Sequence, residues 1–268
     1  MKSDSNKLLE VTKLEVVYNH VSTAIQGVSF NICEGQIFAI IGGNGAGKTT
    51  TLRAISGFLN SDNAVITDGE IKIRDRSINM LKPQDITRQT GIVLVPERNK
   101  VFETLTVQEN LAVPTSIGKR AKETIQNIYT YFPSLYERRK SLAGLLSGGE
   151  RQMLAIGQAM LCSPELLLID ELSLGLSPVM VEALFEILLK IKADFGLSIL
   201  LVEQNAMEAL SIAEYAAVME NGMIVLAGTP EKLMAHEDVK EFYLGIRGKE
   251  KKRYKDVKQY SRTRRWWG

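Results

Sequence analysis

The chain has 268 residues, 45% of them hydrophobic and 24% charged, the profile of a soluble globular protein with apolar content enough for a sizeable core. No uninterrupted apolar run approaches the roughly 20 residues of a membrane helix, and the stretch from Met1 to Lys7 is polar, without a signal-peptide core. The net charge of +2 conceals ten Lys and Arg against two acids from Arg247 onward, and a mildly acidic globule with a basic end is not the profile of a nucleic-acid binder.

Residues 8–32 read as antiparallel strands, because Val28, Phe30 and Ile32 alternate with Ser29 and Asn31. Tyr18 falls in the turn region between them. From the residue alone it reads as a strand-end aromatic covering the core, and a ring that stacks on a purine is the functional alternative. Gln36 to Ile41 is a buried strand, and Thr50 to Ile55 reads as a helix. Between them stand Gly42, Gly43, Asn44, Gly45, Ala46, Gly47, Lys48, Thr49 and Thr50. Strand, glycine loop and helix in that order form a phosphate-binding loop: the glycines let successive backbone N–H groups point at a polyphosphate on a helix N-terminus. Lys48 is then expected to reach the β and γ phosphates, and the Thr49 hydroxyl to bind Mg²⁺. The chain is expected to bind a nucleoside triphosphate. Cys33 and Cys162 lack ligand spacing and read as buried free thiols of a reducing, cytoplasmic protein.

Further along, Glu70 to Ile73 reads as a short strand, and Gly91 to Val95 as a buried strand stopped by Pro96, with Glu97 at its end. Thr106 and Glu109 have the spacing of a capping box that opens a short helix. A second helical segment runs from about Ala121 to Phe132 and ends at Pro133. This helical stretch, between about 97 and 160, interrupts the strand–helix alternation and reads as an inserted subdomain. Ser147 and Glu150 again have capping-box spacing, but Gly148 and Gly149 sacrifice roughly 1 kcal/mol each relative to alanine in a helix first turn. The expected return is close approach by an external anion. Leu166 to Ile169 is an apolar strand tipped by Asp170 and Glu171. Buried acids need a partner, and beside a phosphate loop the natural one is Mg²⁺ on one acid, with the other polarising a water in line with the γ phosphate. Ser177-Pro178 caps an amphipathic helix through Ala193, Ser198 to Val202 is another buried strand, and Asn221-Gly222 turns a hairpin.

Loop, helical insert, Leu146-Ser147-Gly148-Gly149 and carboxylate-tipped strand, in that order, resemble the nucleotide-binding subunit of an ABC transporter over residues 8–245. The resemblance implies an α/β fold: a P-loop NTPase core of mostly parallel sheet with an N-terminal antiparallel β subdomain and the inserted helical subdomain. It implies ATP and Mg²⁺ as cofactors, Gly42 to Thr50 as the Walker A loop, Asp170 as a metal ligand and Glu171 as the catalytic carboxylate. Tyr18 resembles the adenine-stacking aromatic. Ser147, Gly148 and Gly149 resemble the signature that grips ATP held by an opposite subunit. Glu97 stands where the metal-coupling loop usually has glutamine, and Gln204 where most members have a histidine that touches the γ phosphate; Gly43 and Leu172 replace common prolines. Pro96-Glu97, Val101 to Leu111, Ser173 to Pro178 and Leu201 to Ala206 are similar to the smaller ATP-binding subunit of branched-chain amino-acid importers, and related urea and amide importers share much of the pattern. The partners implied are transmembrane permease subunits, a paralogous ATP-binding subunit or a second copy of the chain, and indirectly a solute-binding protein. The implied location is the cytoplasmic membrane face. The tail, 246–268, has no counterpart in that family. Its composition reads as a disordered extension, and Trp266-Trp267 beside Arg262, Arg264 and Arg265 would suit an anionic lipid surface.

Overall fold

In a computed structural model of the protein, residues 6–98, 100–114 and 119–242 are described; the basic tail lies outside them. Strands β1 (Lys7–Tyr18) and β2 (Ser22–Cys33) form the first hairpin, and β3 (Ile37–Ile41) feeds α1 (Lys48–Ser56). A short 3-10 turn leads to β4 (Ala64–Ile73) and β5 (Arg76–Ser77). Then come α2 (Pro83–Thr90), β6 (Ile92–Val95), α3 (Val107–Ala112), α4 (Lys119–Tyr131), α5 (Pro133–Glu137) and α6 (Gly148–Met160). β7 (Leu166–Asp170), α7 (Pro178–Phe195), β8 (Ser198–Glu203), α8 (Ala206–Ile212), β9 (Tyr215–Glu220), β10 (Met223–Gly228), α9 (Pro230–Ala235) and α10 (Glu237–Phe242) complete the described chain.

The strands make two sheets. One is antiparallel, in the order β2-β1-β4-β5; the other runs β10-β9-β3-β8-β7-β6. In the second, β9, β3, β8, β7 and β6 are parallel and only the edge strand β10 runs antiparallel. The α/β core of mostly parallel sheet with an antiparallel β subdomain is as expected. The central strands β3, β7 and β8 are buried on both faces, which is why they read as continuous apolar runs rather than alternations. Alternation still decides what each residue meets. Ile37, Ala39, Ile41, Leu167, Ile169, Ile199 and Leu201 belong to the core shared with α6 and α7. Phe38, Ile40, Leu166, Leu168, Leu200 and Val202 belong to the core around α1 and the antiparallel sheet.

The helices between β6 and β7 start as the sequence dictates. Thr106 accepts from the Glu109 N–H while Glu109 accepts from the Thr106 N–H, and Ser147 and Glu150 repeat the arrangement at α6. Three helices, α2, α5 and α8, were not foreseen. Pro133 does not only stop a helix: it is the first residue of α5. α2 has Pro83 at its start and a left-handed Gly91 after its end, the punctuation of a helix, but buries only Ile86 and Thr90 and so lacks an apolar stripe.

Candidate functional site

The phosphate-loop residues line one cleft. Asn44 to Thr50, Ala24, Glu97, Arg98, Glu171, Leu174 and Gln204 surround a volume of about 580 Å³ at the carboxyl ends of β3, β6, β7 and β8. Crevices at that end of a parallel sheet are where loops can converge on a ligand. The loop is tight by construction: a Cβ on Gly42 would lie 2.4 Å from the Met219 carbonyl oxygen, and Gly47 has φ +108. Gly43 has open space around it, so its lack of a side chain is not a packing requirement. α1 begins at Gly47 with no side-chain cap and no acid in its first turn, which leaves the positive end of the helix dipole facing the cleft.

Lys48 is buried, and its Nζ donates to the carbonyl oxygens of Gly42 at 2.9 Å and Gly43 at 3.1 Å. The same nitrogen is 3.2 Å from Glu171 Oε1. An incoming phosphate therefore competes with Glu171 for one ammonium. Glu171 has φ +47, the left-handed region that a glutamate enters at a cost. Asp170 continues the face of Leu166 and Leu168 toward α1, and there Thr49 Oγ1 donates to Asp170 Oδ1 at 3.0 Å. Burial pushes the Asp170 carboxyl up to about 6; the Thr49 hydrogen bond opposes the rise, and Glu171 and Glu97 add to it. A hydroxyl and a buried carboxylate with excess negative charge around them fit a hard divalent cation such as Mg²⁺. Among the described residues no three of His, Cys, Asp and Glu converge as a metal cluster. Glu97 lines the cleft without joining Asp170 in one, and pairs with its neighbour Arg98 at 3.0 Å.

Other expected residues lie off the cleft. The Tyr18 hydroxyl is 3.2 Å from Thr50 Oγ1, so the ring stands beside the loop without lining the cleft. Ser147, Gly148 and Gly149 open α6 and do not line it either. Ser147 and Gly148 are exposed, whereas Gly149 is buried. A Cβ on Gly149 would meet Met180 Cγ and Sδ at 2.8 Å. Close packing of α6 on α7 is thus one reason for that glycine that the sequence did not reveal. Sequence reasoning also missed the Lys48–Glu171 ion pair and Arg98 in the cleft, and no motif spacing signals either. A further omission was Glu203, which is 1% exposed; burial pushes it up to about 7 against two hydrogen bonds from Ser173.

A family model described as ABC transporter matches residues 25–173. The chain is 38% identical over 240 residues to the high-affinity branched-chain amino acid transport ATP-binding protein BraG of Pseudomonas aeruginosa, covering 89% of this chain and 100% of that protein. It is 35% identical to the probable branched-chain amino acid transport ATP-binding protein LivF of Archaeoglobus fulgidus, covering 89% and 99%. The lipopolysaccharide export ATP-binding protein LptB of Haemophilus influenzae matches at 33%, covering 82% and 90%. An ATP-binding cassette of an ABC transporter, solved in its ADP conformation, superposes with a TM-score of 0.78 at 25% identity, covering 89% and 99%.

Proposed function

This chain belongs to the ABC transporter family and is an ATP-hydrolysing subunit of a transporter; from that premise we propose that it drives an importer of branched-chain amino acids. The observation that supports this cargo is the 38% identity to BraG along that protein's whole length, against 33% to the lipopolysaccharide exporter subunit. Among the described residues no helix is long and apolar enough to cross a membrane. In this reading the pathway for the solute belongs to separate permease subunits, and the chain works on their cytoplasmic face, as the resemblance to transporter ATP-binding subunits implies. One ATP-binding domain spans 8–245, with the helical subdomain inserted at about 97–160.

The roles we assign are those the family resemblance implies, and the lining of the cleft supports those of the phosphate loop, Glu171 and Gln204. The Gly42–Thr50 backbone and the uncapped start of α1 cradle the phosphates, Lys48 offsets their charge, and Tyr18 stacks on the adenine. Thr49 and Asp170 would hold Mg²⁺, with Glu97 on the wall of the same cleft, and the ion would neutralise phosphate charge. Glu171, next to Lys48 and lining the cleft, orients the attacking water. Gln204, also lining it, donates a hydrogen bond to the γ phosphate but cannot take up a proton. Ser147, Gly148 and Gly149 serve the ATP of an opposing subunit.

The test is to isolate the chain with the membrane proteins that co-purify with it, reconstitute them in liposomes, and add the matching solute-binding protein. ATP-dependent uptake of leucine, isoleucine or valine is expected. Uptake of urea or a short amide instead would reassign the cargo, and failure of any membrane protein to co-purify with the chain would remove the transport reading of this site.

A further inference from the structure

β8 is apolar from Ile199 to Val202 and then ends in a carboxylate, Glu203, that is 1% exposed. Following the face of Ile199 and Leu201, Glu203 points away from α1. It does not line the ATP cleft, although Gln204 next to it does. A buried carboxylate in such a strand is costly unless it is hydrogen-bonded. Its partners are both on one residue: Ser173 donates its N–H to Glu203 Oε1 at 3.0 Å and its hydroxyl to Glu203 Oε2 at 2.8 Å. Ser173 lies two residues after Glu171, in the turn that leaves β7. That turn is strained, because Glu171 has φ +47, a conformation that persists only where its surroundings over-determine it. The Glu171 N–H in turn donates to the Val202 carbonyl at 3.0 Å. Three hydrogen bonds accepted by the last two residues of β8 therefore hold residues 171–173.

We propose that Glu203 is a positioning residue for hydrolysis. Its carboxylate clamps Ser173 and so keeps Glu171 in the left-handed conformation that sets its carboxylate beside Lys48. It also ties the Glu171 turn to the strand end that carries Gln204, so the two cleft residues keep one register. This inference rests on the reading of Glu171 as the residue that orients water.

Steady-state Mg-ATP hydrolysis by the chain in complex with its co-purified membrane subunits tests it. Glu203→Ala is expected to lower kcat by about tenfold or more, as misplacement of a catalytic group does, with KM for ATP within about twofold. Glu203→Gln restores most of kcat, because its amide oxygen accepts the Ser173 N–H and its amide nitrogen donates to the Ser173 hydroxyl. Ser173→Ala lowers kcat several-fold, and Ser173→Ala in the Glu203→Ala background adds nothing further. If Glu203→Ala fails to fold, Glu203→Gln and Ser173→Ala still decide the matter. A normal kcat in Ser173→Ala, a rise in KM that accounts for the loss, or failure of Glu203→Gln to rescue would overturn the clamp. Glu171→Gln in the same complex separates the two levels of the argument. If it binds ATP without turnover while the clamp variants are normal, only the clamp falls; if it hydrolyses ATP normally, the reading of Glu171 itself falls.

Discussion

At the scale of single residues, burial raises two carboxyls well above their ordinary values, Asp170 in the site to about 6 and Glu203 behind it to about 7. The consequence for stability runs opposite to that of a salt-bridged acid. Between the ordinary glutamate value of 4.5 and about 7 the folded chain holds a proton on Glu203 that the unfolded chain has released. Its contribution to stability is therefore lost as pH rises through that window and stays lost above it. Glu203→Gln keeps both Ser173 contacts and has no proton to lose. Thermal melting of this variant against the wild type is expected to show little difference near pH 5 and a gain at pH 8 on the order of 2–3 kcal/mol. A constant difference across that range would mean that Glu203 is charged throughout. The meeting of Thr49 and Asp170 was expected because a phosphate loop and a carboxylate-tipped buried strand both end where a metal ion would sit, and the two side chains are in contact. Glu203 was not foreseen. A glutamate after four apolar residues reads as the polar end of a strand, and only the fold of the turn over β8 shows that it is covered.

At the scale of elements, the helical insert hangs on Asn110 in α3, a side chain with 0% exposure. Its Nδ2 donates to the carbonyls of Phe102 at 2.9 Å, Thr106 at 3.0 Å and Leu105 at 3.2 Å, while its Oδ1 accepts from the Phe102 N–H at 2.8 Å. Gln158 in α6 donates to the Asn110 carbonyl at 2.9 Å, which joins α3 to the helix that presents Ser147 and Gly148. Removing the amide leaves the Phe102 N–H without its acceptor, whereas the three carbonyls each keep a backbone N–H from Leu105, Ala143 or Asn110. Asn110→Ala is expected to cost about 2 kcal/mol, from that unsatisfied N–H and the packing lost with the side chain. Amide hydrogen exchange should rise in 102–106 while β3, β7 and β8 stay protected, and equal exposure of all these segments would show that the insert and the core unfold as one unit. The capping boxes at Thr106 and Ser147 made the starts of α3 and α6 readable, since they are local bonds between residues three apart. Asn110 was not singled out because its partners are carbonyls, which no sequence pattern marks. α2 escaped for the converse reason: its ends are well punctuated by Pro83 and Gly91, but it has almost no buried face to make a period.

At the scale of the whole molecule, the described chain holds its phosphate loop and its Ser147-Gly148-Gly149 segment apart, with only the former lining the cleft. The antiparallel strands of the first 32 residues were legible from their alternation, whereas the mostly parallel core was what the family resemblance implied. The pairing of subunits entered only through the resemblance of Ser147, Gly148 and Gly149 to a family signature, because exposed residues carry no local sign of what they meet. Gly148 provides the means to test it. It is exposed, and a Cβ there would lie 3.3 Å from Leu176 Cδ2, a tight contact that the free end of that side chain relieves by moving a few tenths of an ångström. An aspartate at that position favours the start of α6 through the helix dipole, yet repels a phosphate brought against it from another chain. Gly148→Asp should therefore fold and bind ATP in its own cleft, but complete no shared site. Lys48→Ala should fail in the reverse way, since it loses the ammonium of its own cleft and keeps an intact α6 start. In a head-to-tail pair of one chain of each kind, one site combines both defects and the other combines an intact loop with an intact Ser147-Gly148-Gly149. Each variant alone is then expected to be inactive, and a mixture to recover turnover from the one intact site. Measuring ATP hydrolysis against mixing ratio checks this, with a maximum at equal amounts. A mixture that stays silent while wild-type chains hydrolyse ATP on their own would show that the two segments do not meet across copies of this chain.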